Sequence, residues 1–485
     1  MSRVLRSLLP ARYAGSSSPE RPDASQYTAI SVGDEAGPDP LLEHARRHGR
    51  GVYWCFWVLG AGILLSWNVL ICTIPLLASF FDERSATHAN LASYLSTTFC
   101  FSNLLFLGLA QRDVGKTSPS PRIRWSLYLL HLTSLLMLFP VLPILLPRLS
   151  PSSPLLLPLL LLMTTSLACS TAYLQSAVFA LAALWGSDET LAVMSGQGGI
   201  AVLVSFAQVI LAVLGAMRRS APEPGTEASV QSTLAGVGLW AISAVGAAGC
   251  IYAHTVLKAH VDYPNVLAPV IARGAESARA GGMGTPGGDV KQGVTGRVFK
   301  KNKELEMAVA WVFVVTLSVF PPITTAIVST HSPPPRFLQP SVFIPLHFLL
   351  FNVGDFVGRT YLPAIPSLLI TNPRRVLALS LARTLFVPLF LACNVAVSAA
   401  TTGSKPLLNS DTAYFLILIA FGLTNGYISS LSMILASSPA LNPKISDDEK
   451  DVAGTLAAFC LVAGLAGGSV CSFGVNWLVR GSVFG

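Results

Sequence analysis

An all-α polytopic membrane protein is the fold class this sequence predicts, and three observations predict it. Of the 485 residues, 52% are hydrophobic and only 12% are charged, whereas a soluble domain carries about 25% charged residues. Mean hydropathy is +0.59. Apolar runs long enough to cross a bilayer, which takes about 20 residues each, recur along the chain between short polar stretches. Together they leave room for about eleven crossings and none for a soluble catalytic domain.

Taken in order, residues 1–50 are rich in Ser, Pro, Arg and Asp and lack the apolar core of a cleavable signal. They predict a disordered cytoplasmic tail, with the first apolar run acting as an uncleaved anchor. The tail holds a Tyr27-Thr28-Ala29-Ile30 string and a Leu41-Leu42 pair. Both resemble sorting signals, so a vacuolar or lysosomal address stands beside the plasma membrane. Crossings are predicted near 53–80, 89–111, 123–147, 154–186, 190–217 and 230–258, forming an N-terminal bundle over residues 51–258. Residues 259–305 carry GGMGTPGGDV and the basic run RVFKKNK and predict a flexible cytoplasmic linker loop. The remaining crossings, near 306–330, 339–363, 373–398, 410–437 and 450–479, form a second bundle over residues 306–485. This 6+5 arrangement suits a carrier whose central site opens alternately to each side.

Orientation follows from the basic loops. Arg112, Lys116, Arg122 and Arg124, then Lys291 to Lys303, then Arg374 and Arg375 fall on the face of the N-terminal tail, which predicts a cytoplasmic N-terminus and an outer or lumenal C-terminus. Arg218, Arg219 and the acidic stretch Asp447, Asp448, Glu449 and Asp451 run against that pattern. The net charge of +8 is therefore topological, with no nucleic-acid partner expected. The eight cysteines lie in or beside apolar runs without CxxC or metal-ligand spacing, so no metal or cofactor is expected. No nucleophile with its base and no facing His, Cys or Asp set is present in the pattern of a membrane enzyme. The chain is expected to act as a monomer in the bilayer.

Polar residues inside apolar runs are the candidates for function, because each must face a protein interior or a water-filled path. Asn352, Asp355 and Arg359 in FNVGDFVGRTY are spaced to share one helix face. There the carboxylate can accept from vicinal sugar hydroxyls and the guanidinium can donate to ring or hydroxyl oxygen, or the two can form a buried ion pair that only clamps helices. Trp67 and Asn68 lie midway through the first run, where the indole serves either as a stacking surface for a flat ring or as packing. Gln175 is a lone amide in its run, suited to reading the edge of a base or to bonding a neighbouring helix. VMSGQGGI at 193–200 lacks the Lys and the preceding strand of a phosphate loop and reads as close helix packing. Arg383 requires an acidic or carbonyl partner that lies elsewhere in the chain.

These stretches, LLSWN at 64–68, LQSAVFALAAL at 174–184, VMSGQG at 193–198, FNVGDFVGR at 351–359, LARTLFVPLFLACN at 381–394, TNGYISSLSM at 424–433 and AGTLAAFCLVAGLAGGS at 453–469, resemble the equilibrative nucleoside transporter family in its order. The resemblance implies a major-facilitator-like fold and passage of purine and pyrimidine nucleosides, with nucleobases as an extension. It further implies that Leu64 and Trp67 flank the nucleoside, that Gln175 bonds the base, and that Asp355 and Arg359 hold the ribose. Asn68, Phe320 and Asn352 would support the site, and Gly196 and Gly198 would be packing positions. Three departures bear on selectivity: Ser66 where the family has proline, Phe356 where it has tryptophan, and Leu184-Trp185-Gly186 without the usual proline. Facilitated diffusion is expected, because Arg359 stands beside the carboxylate that would otherwise accept a proton; proton coupling in an intracellular membrane is the alternative.

Overall fold

The computed structural model of the protein describes residues 49–82, 85–112, 114, 118–138, 155–218, 226–281, 287–320, 323–331, 333–335, 338–395 and 407–480. The tail with Tyr27 and Leu41, together with Lys116, Arg219, Pro321 and Pro322, lies outside them. The first bundle comprises α1 (Gly49–Ala78), α2 (Ala86–Gln111), α3 (Pro119–Leu136), α4 (Leu156–Trp185), α5 (Ser187–Arg218) and α6 (Thr226–Lys258). After α7 (Tyr263–Gly281) comes the second bundle: α8 (Gly287–Val319), α9 (Pro340–Thr360), α10 (Pro373–Ala382), α11 (Phe386–Leu391), α12 (Asp411–Ser437) and α13 (Lys450–Arg480). Nine helices among the described residues are long and apolar enough to cross a membrane. Neither α3 nor the α10–α11 pair is among them. These occupy the two other predicted crossings.

Local chemistry accounts for the helix ends. The Ser85 side chain accepts from the His88 amide at the start of α2, Ser118 accepts from the Ser120 amide ahead of α3, and Ser410 accepts from the Ala413 amide ahead of α12. Asn372 followed by Pro373 opens α10 in the same manner. The ninth predicted crossing is divided: a 3-10 turn at Arg383–Leu385 separates α10 from α11. Pro388 supplies no amide for Thr384 and crowds its carbonyl, which breaks the ladder there. Gly186 alone joins α4 to α5, with φ 153°, a backbone angle that side-chain-bearing residues rarely adopt. It performs the turn for which the resemblance would have supplied a proline.

The segment 259–305, expected as a flexible loop, is largely helical. It holds α7 and the first turns of α8, which begins at Gly287 rather than near 306. The segment is also anchored: Arg273 of α7 donates to the Asp451 carboxylate at 2.9 Å and to the Asp448 carbonyl at 2.6 Å. Lys301 meets Glu449 at 2.6 Å. The acidic stretch before α13, which opposed the orientation argument, is thus neutralised by the basic stretch it folds against. Both lie on one face, with Gln111 at the end of α2 bonded to the Thr455 carbonyl of α13.

Within the bundles the closest packing is α1 on α5, α8 on α13 and α9 on α12. Glycines make it close. A Cβ on Gly354 would lie 2.6 Å from the Ile419 carbonyl oxygen, on Gly358 2.1 Å from that of Leu423, on Gly422 2.2 Å from that of Phe351, and on Gly426 1.9 Å from that of Asp355. These two GxxxG pairs seat α9 and α12 backbone to backbone. The bundles meet along two seams, α5 against α9 and α12, and α2 with α4 against α13.

Candidate functional site

The α5–α9 seam carries the most connected buried polar group among the described residues. The Arg359 Nε donates to Asp355 Oδ2 at 2.6 Å, and Asn425 Nδ2 of α12 donates to Asp355 Oδ1 at 2.6 Å. Asp355 and Arg359 are each 5% exposed. Arg359 also reaches across the seam, with its Nη1 3.9 Å from the Met194 sulfur of α5. The Asp355–Arg359 spacing of one helical turn, legible in the sequence, brings the two side chains into contact as expected. Its third partner, Asn425, was not singled out by sequence reasoning.

Arg383 extends this network and finds the carbonyl partner it requires. Its Nη1 donates to the Phe421 carbonyl at 2.9 Å and to Thr424 Oγ1 at 2.5 Å. Its Nη2 lies 2.9 Å from Thr316 Oγ1 and 3.3 Å from Asn425 Oδ1, and its guanidinium carbon sits 4.5 Å from the centre of the Phe421 ring. Four elements of the second bundle therefore converge on one carboxylate and two guanidiniums. Arg383 is 2% exposed. Such a cluster holds its charges only because hydroxyl, amide and carbonyl groups fill the remaining positions.

The other predicted residues distribute differently. Asn352 bridges the seam, donating to the Ala201 carbonyl at 3.3 Å and to Ser205 Oγ at 3.1 Å. Gly198 faces α9, where a Cβ would lie 3.2 Å from both Arg359 Cδ and Phe356 Cα. Gly196 faces α1, where a Cβ would lie 2.0 Å from the Trp57 carbonyl oxygen. On α1, Trp67 is half-buried with its ring 4.2 Å from that of Phe99 of α2, and Leu64 is also half-buried. The Asn68 amide is used within its own helix, donating to the Leu64 carbonyl at 2.8 Å. Ser66 ties α1 to α6 through Ser243, 3.2 Å away. Phe320 stacks on Phe351 at 4.2 Å in an aromatic cluster of the second bundle. Among the described residues no hydrogen bond or ring contact joins Leu64, Trp67, Asn68 or Gln175 to the Asp355–Arg359 pair.

Gln175 is the informative member of the first-bundle set. It is 3% exposed on α4, one of the helices that meets the opposite bundle, and among the described residues its Nε2 has no hydrogen-bond partner. A buried amide donor left without a protein acceptor is the kind of group that a ligand or an ordered water satisfies. Glu306 of α8 is also buried, at 1% exposed; among the described residues no nitrogen or oxygen donor reaches its carboxylate, and the Cys460 thiol of α13 lies within its reach. Sequence reasoning passed over it because it stands next to the polar run KKNKE.

A family profile described as nucleoside transporter matches residues 287–477. The chain is 37% identical over 180 residues to human "Equilibrative nucleoside transporter 2", a match covering 36% of each protein. It is 28% identical over 459 residues to rat "Equilibrative nucleoside transporter 3", covering 90% of each. Yeast "Nucleoside transporter FUN26" is 35% identical over 181 residues, covering 36% of this chain and 33% of that one. The matches to the human and yeast proteins thus span about a third of those relatives' length. Among solved structures, the proton:xylose symporter XylE of the major facilitator superfamily superposes with TM-score 0.53 at 12% identity, covering 88% of this chain and 87% of that one. FucP of the same superfamily, in the outward conformation, gives 0.52 at 14% identity, covering 90% and 94%. These two likenesses identify the fold as major-facilitator-like.

Proposed function

We propose that this integral multi-pass membrane protein is an equilibrative nucleoside transporter, carrying purine and pyrimidine nucleosides across its membrane by alternating access, unchanged chemically. The observation that carries this reading is the buried Asp355–Arg359 pair on the seam between the bundles. Each Asp355 oxygen accepts one hydrogen bond and retains a further acceptor direction. When the seam parts, a carboxylate and a guanidinium held at fixed spacing face the cavity, a match for the vicinal hydroxyls of a ribose. Gln175, with its unpartnered amide, supplies the contact to the base, and Trp67 and Leu64 flank it.

The same network supports facilitated diffusion, since Asp355 is held by Arg359 and Asn425 as one fixed cluster whose remaining acceptor directions serve substrate hydroxyls. In this reading the basic face, where Gln111, Arg273, Lys301 and Asp451 interlock, is cytoplasmic. Ser195 and Thr360, 2.9 Å apart across the α5–α9 seam near that face, close the inner side in the conformation seen.

Uptake of radiolabelled adenosine and uridine into proteoliposomes, with and without an inward proton gradient, tests the proposal. Saturable uptake unaffected by the gradient is expected. Stimulation by the gradient would replace facilitated diffusion with proton coupling, and no uptake by folded protein would point to another hydroxylated solute.

A further inference from the structure

Away from the seam, the ends of α3 and α6 on the basic face flank a small open cleft of about 90 Å³. Arg124 and Lys258, one from each helix, line it, and among the described residues neither forms an ion pair. No carboxylate lines it. The other polar groups are the Tyr128 and Thr255 hydroxyls and the His254 imidazole, whose Nε2 lies 3.3 Å from Ser120 Oγ. Two cations that converge without a protein anion repel one another, and an anion between them removes that repulsion.

The surroundings say which kind of anion fits. Trp125 is 67% exposed, Tyr252 72% exposed, and the Trp125 and Tyr128 rings meet edge to face at 6.3 Å. Such rings mark the level where headgroups meet hydrocarbon. Farther along the same two helices the surface is apolar and open, with Leu132 52% and Val245 72% exposed. A phosphate held at Arg124 and Lys258 would therefore have hydrocarbon-compatible surface running away from it toward the bilayer centre.

We propose that the α3–α6 cleft binds the phosphate of an anionic phospholipid from the leaflet on the basic face, with its acyl chains laid along α3 and α6. Arg124 and Lys258 pair with the phosphodiester, and Tyr128 offers its hydroxyl to its oxygens, the Thr255 hydroxyl being spent on the Ile251 carbonyl of its own helix at 2.8 Å. The site is independent of the substrate reading, since no residue of it touches the Asp355 network.

The test is native mass spectrometry of the full chain, titrated with phosphatidylserine, phosphatidylcholine or inorganic phosphate, for wild type, for the double variant R124Q/K258Q and for the charge-conserving R124K/K258R. Each cation near an anionic leaflet is worth about a factor of five, so R124Q/K258Q should bind phosphatidylserine roughly thirtyfold more weakly. R124K/K258R should bind within a few fold of wild type. Both changes are at exposed side chains, and unchanged melting in phosphatidylcholine establishes that the variants are folded. Equal phosphatidylserine binding by wild type and R124Q/K258Q would overturn the proposal. Inorganic phosphate occupying the site as well as the lipid does would also overturn it, by assigning the cleft to a free anion. Equal binding of phosphatidylcholine and phosphatidylserine would show that the cations select nothing.

Discussion

Changing Asp355 to asparagine keeps the shape of the side chain and removes its charge, which leaves two guanidiniums facing no anion in a buried site. Arg359 loses a 2.6 Å ionic contact, and Arg383, bonded only to neutral groups, loses the nearby charge that balances it. Breaking one partner of a buried pair costs about 3–5 kcal/mol, which at 1.4 kcal/mol per decade is roughly a hundredfold to several thousandfold in the folding equilibrium. The companion variant D355N/R359Q removes both charges and should recover most of that loss, because replacing a whole buried pair is often close to neutral. Thermal unfolding of the purified protein and uridine uptake into proteoliposomes, read on the same preparations, separate clamp from contact. We expect D355N to melt well below wild type, and D355N/R359Q to melt near wild type while remaining below a hundredth of its uptake. A double variant that transports at the wild-type rate would refute the ribose contact and reduce the pair to a helix clamp. A D355N protein as stable as wild type would refute the energetics of the network.

Three further outcomes follow from side chains already described. Gln175→Leu removes an amide nitrogen that has no protein acceptor, so stability should hold or rise; loss of a base contact worth about 1–3 kcal/mol should raise the uptake KM roughly five- to a hundredfold. Gly426→Ala places a methyl 1.9 Å from the Asp355 carbonyl position and should lower the melting temperature sharply, whereas Gly238→Ala, with nothing within 4 Å, should leave it unchanged or slightly raised. Glu306→Met replaces a buried carboxyl that no nitrogen or oxygen donor reaches among the described residues with an apolar chain of similar length, and should stabilise the protein by about 1–3 kcal/mol in a chemical-denaturation series.

The apolar runs located the crossings because bilayer thickness dictates their length, and spacing placed Asp355 and Arg359 in contact because one helical turn suffices for that. What required the structure was everything nonlocal. The partners of Arg383 come from two other helices, α8 and α12, and no spacing within LARTLFVPLFLACN points to Thr316 or Phe421. The helical character of 263–281 was hidden by a glycine-rich neighbour, although YPNVLAPVIARG carries apolar residues at helical intervals. Two clues were present and unused: the four-residue glycine spacings at 354–358 and 422–426 are a helix-contact pattern readable without coordinates. Asn68 shows the converse, since a polar residue in mid-membrane can be satisfied by its own helix and signal nothing beyond it.

The glycine seating of α9 on α12 restricts which motions are available to the proposed transport cycle. Shifting the register of α9 by one residue, about 1.5 Å, would bring Val353 and Val357 to the positions of Gly354 and Gly358, where even a methyl group would press on a carbonyl oxygen. That coordinate is stiff. In the proposed transport cycle Asp355 of α9 and Asn425 of α12 would consequently travel as one body, their hydrogen bond kept from one turnover to the next. In the proposed cycle the parting would fall at the seams between bundles, where the polar contacts Asn352 to Ser205 and Ser195 to Thr360 are neutral and exchangeable for water. Substitutions at those contacts should therefore alter the rate of interconversion, while substitutions among the glycines should alter whether the substrate site exists.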